Sequence, residues 1–324
     1  VDKIASPIKF DEIKNIFNKN PFCWKNNIDY IYLLIIKNKY IVFEDRSFFE
    51  IKGEDKDTFL QGLITNDINK CTDKKSIYSA FLSPQGKFLA DFFILKYENS
   101  YLFETPKLFL EELLKKLNNY KLRSKIDIVE KQSLTSLSIL GGDEIFGKLD
   151  SLGSTIKIDD GYAFIDPRNK ELGIKVIINK DTINFFAKKY DLIEEDINKY
   201  EEIRINNAIP NSIFDLKYNN SLILENNFDK INAISWDKGC YVGQEITARI
   251  KYRSLLKKNL LKVKILNGFV SSGDDIYFEE KLIGTITSNN KNIALAMIRL
   301  SDSDNAIKKK AILESKNAKL KLWS

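Results

Sequence analysis

The sequence contains no histidine. That excludes a Ser-His-Asp or Cys-His nucleophile pair, a histidine metal ligand and an imidazole acid–base catalyst. Proton transfer would fall to Asp, Glu, Lys, Tyr, Cys or a bound cofactor. Cysteine is nearly as scarce, with only Cys23, Cys71 and Cys240. The three are isolated, odd in number and form no C-x-x-C, so neither a disulfide framework nor a self-sufficient zinc site is expected. A reducing, cytoplasmic setting fits, or the mitochondrial matrix for a eukaryotic source. The longest apolar run, "YIYLLII" at 30–36, is too short to cross a bilayer and lacks the flanks of a signal peptide. No membrane partner is expected. "GGD" at 141–143 lacks a G-x-G-x-x-G or Walker pattern, so no nucleotide phosphate loop is assigned. There is no internal repeat and no long low-complexity linker. The single methionine is Met297 and the sequence begins at Val1. Residues 1–37 are read as an N-terminal extension, not native or poorly ordered.

What is present describes a large folded chain. With 324 residues and 44% hydrophobic content, a sizeable core in more than one domain is expected. The net charge of +6 favours anionic partners such as nucleic acid or a polycarboxylate cofactor. Its lysines are scattered, which reads more simply as a solvated surface.

The pattern mixes strands and helices. "YIVFEDRSFFEIK" (40–52) reads as β-structure with a turn near Asp45. From 53 to 68 the period becomes helical, with Phe59, Leu60, Leu63 and Ile64 on one face and Asp55 placed to cap. "SIYSAFLSPQGKFLADFFILKY" (76–97) is a β-hairpin around Pro84 and Gly86. In "ETPKLFLEELLKKL" (104–117) Thr105 is a candidate N-cap and Pro106 a first helical residue. Phe109, Leu110, Leu113, Leu114 and Leu117 form the buried stripe. Strands are expected at 125–130, 134–140 and within 161–178, with a short helix after 141–143. Further helices are expected at about 182–190 and 194–207, the latter with Ile197, Tyr200 and Ile203 or Arg204 inward and stopped by Pro210. From Leu255 short strands separated by Gly, Asn and Asp suggest a small all-β module, a barrel.

Three segments carry candidate chemistry. In "DKGCYVGQEITAR" (237–249), Gly239 and Gly243 allow unusual backbone and close approach of a ligand. Lys238 beside Cys240 would favour thiolate, the form that binds metal or attacks electrophiles. Gln244 and Glu245 suit the edge of a heterocycle. The plainer alternative is a glycine turn with a buried, inert cysteine. In "LITNDI" (63–68), Asp67 is either a turn cap or a carboxylate held at a helix end facing a cleft. Arg204 and Glu225 are either pocket-lining groups or members of surface salt bridges, and "DPRNKELG" (166–173) reads as a turn.

Taken in order, "FLQGLITND", "SPQGKFLADFFI", "DPRNKELG", "RINNAIP", "DKGCYVGQEITARIKYR" and "LIGTITS" resemble the YgfZ family, folate-binding relatives of the glycine-cleavage T-protein (aminomethyltransferase). The resemblance runs from about residue 38 to the C-terminus, and "KGCYVGQE" is its most specific element. It implies an α+β, T-protein-like folate-binding fold with ferredoxin-like subdomains around a central opening. By this likeness residues 38–254 form the folate-binding region and 255–324 the C-terminal β-barrel. The implied ligand is tetrahydrofolate or a one-carbon derivative. The implied role is iron–sulfur cluster assembly or repair, indirectly supporting tRNA modification. By the same likeness Cys240 is the functional thiol and a shared ligand of a transient iron–sulfur cluster, whose other ligands a scaffold or carrier protein supplies. Asp67, Glu225, Lys238, Gly239, Tyr241, Gly243, Gln244, Glu245 and Arg249 are its implied cofactor-binding setting. Two positions depart from the family pattern: Ala208 stands where "GIP" is usual and Ser254 where "YRG" is usual. The alternatives are an aminomethyltransferase-type one-carbon enzyme, against which "KGCY" replaces an acidic "KGDF"-like segment, and a protein that modifies or binds tRNA directly.

Overall fold

The computed structural model describes residues 39–141, 145–147, 149–159 and 161–323. The expected N-terminal extension, Cys23 and the helix expected after 141–143 lie outside the described residues. Two sheets and a barrel make up the fold. The six-stranded sheet runs β11 (Ile193–Glu194), β1 (Lys39–Phe43), β7 (Leu134–Leu140), β10 (Ile174–Asn179), β9 (Gly161–Ile165), β8 (Thr155–Ile158). The five-stranded sheet runs β3 (Ile77–Leu82), β4 (Phe88–Tyr97), β5 (Ser100–Pro106), β2 (Arg46–Gly53), β6 (Ile126–Glu130). β12 (Lys258–Gly268), β13 (Asp275–Phe278), β14 (Lys281–Asn290), β15 (Ile293–Arg299), β16 (Leu313–Ser315) and β17 (Ala318–Leu322) close into a barrel. Closure leaves the barrel no free edge. Among the described residues no helix is long and apolar enough to cross a membrane.

Helix α1 is Lys56–Gln61 and α2 Lys107–Lys121. Phe109, Leu113 and Leu117 of α2 are buried and Leu110 and Leu114 pack at the margin, as the 3.6-residue period requires. Its start differs from expectation. The Thr105 hydroxyl donates to the Asp91 carbonyl, so β5 continues through Pro106, which becomes the residue before the helix. Asp55 precedes α1 without capping it, because its carboxylate accepts the Lys125 N–H instead. Helix α3 is Ile183–Lys189 and α4 Ile197–Asn206. Tyr200 and Arg204 face inward, whereas Ile197, expected inside, is 44% exposed. Helix α5 is Gln244–Tyr252. The C-terminal module is not all-β: α6, Leu300–Lys308, lies between β15 and β16. The segment "LSDSDNAIK" buries Asp302, Ser303 and Ala306, so its inward side is mostly polar and gave no apolar period.

The departures from glycine sit at two helix ends of one geometry. After α4 the Ile209 and Ala208 N–H groups return to the Arg204 and Ile205 carbonyls, with Ala208 at φ 51°. After α5 the Leu255 and Ser254 N–H groups return to Ile250 and Lys251, with Ser254 also at φ 51°. This is the Schellman turn, whose left-handed residue is usually glycine. The backbone therefore keeps a glycine conformation without the glycine, at a cost of about 1 kcal/mol each. Ser254 is exposed, so Ser254→Gly is expected to raise stability by about 0.5 kcal/mol, measured by denaturant unfolding. Ala208→Gly is expected near neutral, because the Ala208 methyl packs with Ile205 and Leu260.

Between the two sheets lies a buried charged layer that no apolar pattern announces. Glu104 on β5 accepts from Lys175 Nζ on β10 at 2.7 Å and from Ser136 on β7 at 2.9 Å. Lys175 and Glu104 side chains are fully buried. Lys175 Nζ also lies 4.5 Å from the ring centroids of Phe43 and Phe93. Beside it the "DPRNKELG" turn is more than a turn. Arg168 donates to both oxygens of Asp166, at 3.0 and 2.7 Å, and to the Tyr200 hydroxyl. Tyr78 donates to Asp91 at 2.5 Å. Arg46 Nε, Asp91 Oδ1 and Glu104 Oε2 are buried without a hydrogen-bond partner among the described residues.

Arg204 joins the barrel to the rest. Its guanidinium donates to Glu201, to Asp215 at 2.9 Å, to the Ile209 carbonyl at 2.7 Å and to Ser288 of β14 at 3.1 Å. It is a buried junction rather than a surface salt bridge.

Candidate functional site

The Cys240 segment is fixed by two turns distant in sequence. Lys238 Nζ is buried and donates to the carbonyls of Ile64 at 2.7 Å and Asn66 at 2.8 Å. Asn66 in turn donates to the Tyr78 and Asn232 carbonyls, and the Thr65 hydroxyl to the Ala233 carbonyl. The Val242 N–H reaches the Gly62 carbonyl. On the other side is the hairpin turn at Ser83–Lys87. Gly243 opens α5 at φ 83°, and a Cβ there would meet the Ser83 carbonyl oxygen at 2.6 Å. A Cβ at Gly86 would come within 2.9 Å of the Ile246 side chain. Glycine is therefore required at 243 both by its left-handed backbone and by contact with the hairpin.

Held this way, Cys240 is exposed. Neighbouring Gly239 has open space where a Cβ would be. Cys71 is the contrast: it is buried, and burial pushes its thiol up to about 12. The inert-cysteine alternative therefore describes Cys71 and not Cys240.

The remaining expected residues fall into separate roles. The Lys238 ammonium is committed to backbone carbonyls, so it anchors the loop. Burial draws it down to about 8, against the pull of Asp67. Tyr241 is buried, its ring centroid 5.1 Å from Lys238 Nζ, and burial pushes its hydroxyl up to about 12. The Asp67 carboxylate accepts from the Asn69 N–H at 3.0 Å and from Gln61 at 2.9 Å. It caps the short turn at 68–70. Gln244 is half-buried, while Glu245 and Arg249 point outward from α5.

Glu225 does not sit in this loop. It lies in a short turn that packs against α5 and faces a cavity of about 380 Å³ beside the barrel. Phe214, Lys217, Lys258, Leu282, Met297 and Arg299 line it. Lys258 Nζ is 3.5 Å from the Glu225 carboxylate. Burial raises the Glu225 pKa and Lys258 opposes it. The lysine, the arginine and the apolar walls of this cavity gave no signal in sequence, because β14 and β15 read simply as barrel strands. Among the described residues no group of three or more Cys, Asp or Glu side chains gathers in a metal-binding cluster. One exposed thiol supplies one ligand.

Comparison with known proteins agrees on fold and kinship. No family model matches the chain. It is 29% identical over 263 residues to the mitochondrial iron-sulfur cluster assembly factor IBA57 homolog of Dictyostelium discoideum, covering 70% of this chain and 63% of the relative. It is 31% identical over 235 residues to the IBA57 homolog of Neurospora crassa, covering 67% and 51%. It is 27% identical over 230 residues to the tRNA-modifying protein YgfZ of Hamiltonella defensa, covering 68% of each. The chain thus spans between half and two thirds of the length of those two IBA57 relatives. In structure it is similar to the glycine cleavage system aminomethyltransferase T of Bartonella henselae, with a TM-score of 0.73 and 11% identity over 90% of this chain and 88% of that one. The α+β, T-protein-like fold with its closed six-stranded barrel is therefore established. These likenesses, together with the exposed thiol in its two-turn clamp, lead to one conclusion: the chain belongs to the family of YgfZ and IBA57.

Proposed function

We propose that this chain supports iron–sulfur cluster assembly or repair, and through cluster-dependent enzymes tRNA modification, with Cys240 as the participating thiol. The carrying observation is that, among the described residues, a single cysteine is exposed, on a turn seated by Lys238. A thiolate is the common protein ligand of iron in clusters. One thiol cannot hold a cluster, so a scaffold or carrier protein supplies the other ligands to this cargo. The setting is the cytoplasm, or the mitochondrial matrix in a eukaryote.

The chain also has a place suited to a folate. The 380 Å³ cavity beside the barrel falls in the size range of small-molecule sites. Glu225 offers a buried carboxylate to the amino and ring N–H groups of a pterin, and Phe214 and Met297 offer apolar walls. Lys217, Lys258 and Arg299 would hold the carboxylates of the tail. When bound, tetrahydrofolate supplies one-carbon and reducing chemistry. The chain's own part is to orient it behind the helix that Cys240 precedes. Asp67, Lys238, Tyr241 and Gly243 act by seating the thiol, and the outward Glu245 leaves pterin recognition to Glu225.

Cys240→Ala in cells is expected to lower aconitase-type activity to the level of a strain lacking the protein. The purified variant should unfold within about 0.5 kcal/mol of the parent, because the side chain is exposed. Normal cluster enzymes in that strain would remove the thiol from the mechanism.

A further inference from the structure

Arginine is rare here: seven residues among 51 Lys and Arg. Inside the molecule it is used where a planar fork is needed. Arg168 takes both oxygens of Asp166, and Arg204 takes both of Glu201 and one of Asp215. Lysine, the abundant cation of this chain, does not reproduce that geometry. Arg123, Arg249, Arg253 and Arg299 are exposed instead, and of these Arg249 and Arg253 stand side by side. They are one helical turn apart at the outward side of α5 and its end, both exposed. Among the described residues neither side chain makes an ion pair or hydrogen bond, and neither does Lys257 beyond them. Glu245 is the lone acid of α5.

The same face carries apolar surface. Tyr252 is 70% exposed and Leu255 46%. Tyr252 is held edge-on to Trp236, and Lys251 Nζ sits 3.5 Å from the Trp236 ring centroid. Cys240 opens the turn that leads into this helix.

We propose that the outward face of α5, with Arg249, Arg253 and Lys257 around Tyr252 and Leu255, is a docking surface for an acidic protein. The partner presents two carboxylates at helical i,i+4 spacing beside an apolar contact, and docking brings its cluster-bearing groups to Cys240. This rests on the proposed function and assigns Arg249 to partner recognition rather than to the cofactor. Charge complementarity selects the partner's sign: unpaired guanidinium forks match paired carboxylates in geometry as well as charge. A protein fits better than RNA, because stacking successive bases needs more than one open ring face and here Tyr252 alone is open. Lys251 covers the Trp236 ring, and an exposed leucine suits a protein interface.

The test uses the full chain with Cys23→Ser, Cys71 being buried. The probes are two helical peptides, each with a terminal cysteine activated as its thionitrobenzoate disulfide. One carries a leucine and two glutamates at i,i+4; the other has glutamine in place of glutamate. The Cys240 thiolate attacks the peptide sulfur, the bond to thionitrobenzoate breaks, and the released anion is read by absorbance. The glutamate peptide is expected to react at least about tenfold faster, with the advantage lost at 1 M salt. Arg249→Glu with Arg253→Glu should bring it to or below the glutamine rate, and Arg249→Lys with Arg253→Lys should leave an intermediate rate. Equal rates for the two peptides in the parent would overturn the proposal. So would a uridine-rich RNA oligonucleotide that blocks the reaction at lower concentration than an unactivated glutamate peptide. The assay involves no cluster and no cell phenotype, so it fails or holds independently of the Cys240→Ala strain.

Discussion

Lys175→Met is expected to destabilise the protein by about 3–5 kcal/mol, seen as a lower denaturant midpoint with unchanged slope. The substitution keeps volume and leaves the fully buried Glu104 carboxylate without its 2.7 Å partner. Arg46 Nε, at 3.7 Å, is too far to replace it as a hydrogen-bond donor. Burial already draws the Lys175 pKa down, and the Glu104 carboxylate opposes that shift. Glu104→Gln in the same chain should restore much of the loss, because the amide oxygen still accepts from Ser136. A double-mutant cycle reads the coupling directly. Additive losses would show that the pair contributes packing alone.

Arg204→Met should be as severe, about 3–5 kcal/mol, but with a different signature. This guanidinium touches α4, the 209–215 segment and β14 of the barrel at once. Its removal leaves Asp215 buried with only the Asn211 N–H and Thr287 hydroxyl as donors. The barrel loses its main ionic tie to the sheets. Unfolding by heat is expected to split or broaden, with barrel and sheets melting separately. Arg204→Lys should not rescue it, since one ammonium cannot reach Glu201, Asp215, the Ile209 carbonyl and Ser288 together. A single sharp transition at the parent's midpoint would show that apolar contact alone fixes the barrel.

Strands and helices with regular apolar spacing were readable in the sequence. The hairpin of β3 and β4 and the stripe of α2 are examples, since period 2 and period 3.6 follow from backbone geometry. The charged layer was not readable. Glu104 in "LFETP" and Lys175 in "GIKVI" look like outward positions of half-exposed strands, and only the stacking of two sheets turns them into an interior pair. Helix α6 was hidden by its polar composition, and Thr105 by a hydrogen bond across the sheet. At the candidate site, "KGCYVGQE" singled out Cys240, whose exposure only the fold shows, and the bonds of the Lys238 ammonium to a loop far upstream could not be read from local spacing. Glycine at 243 was legible as a special backbone position, whereas its contact with the Ser83 turn required the fold.

The Lys238 anchor spans 174 and 172 residues to Ile64 and Asn66. Every strand of the two sheets precedes it in the chain. During synthesis the strands of the α/β body therefore leave the ribosome before the lysine that seats the thiol turn. Closing so long a loop carries a large entropic cost and is slow relative to local structure. Birth order thus sets the sequence of events: a nascent chain with half-built sheets has no seated Cys240 turn, which takes its position only once the upstream loop has folded.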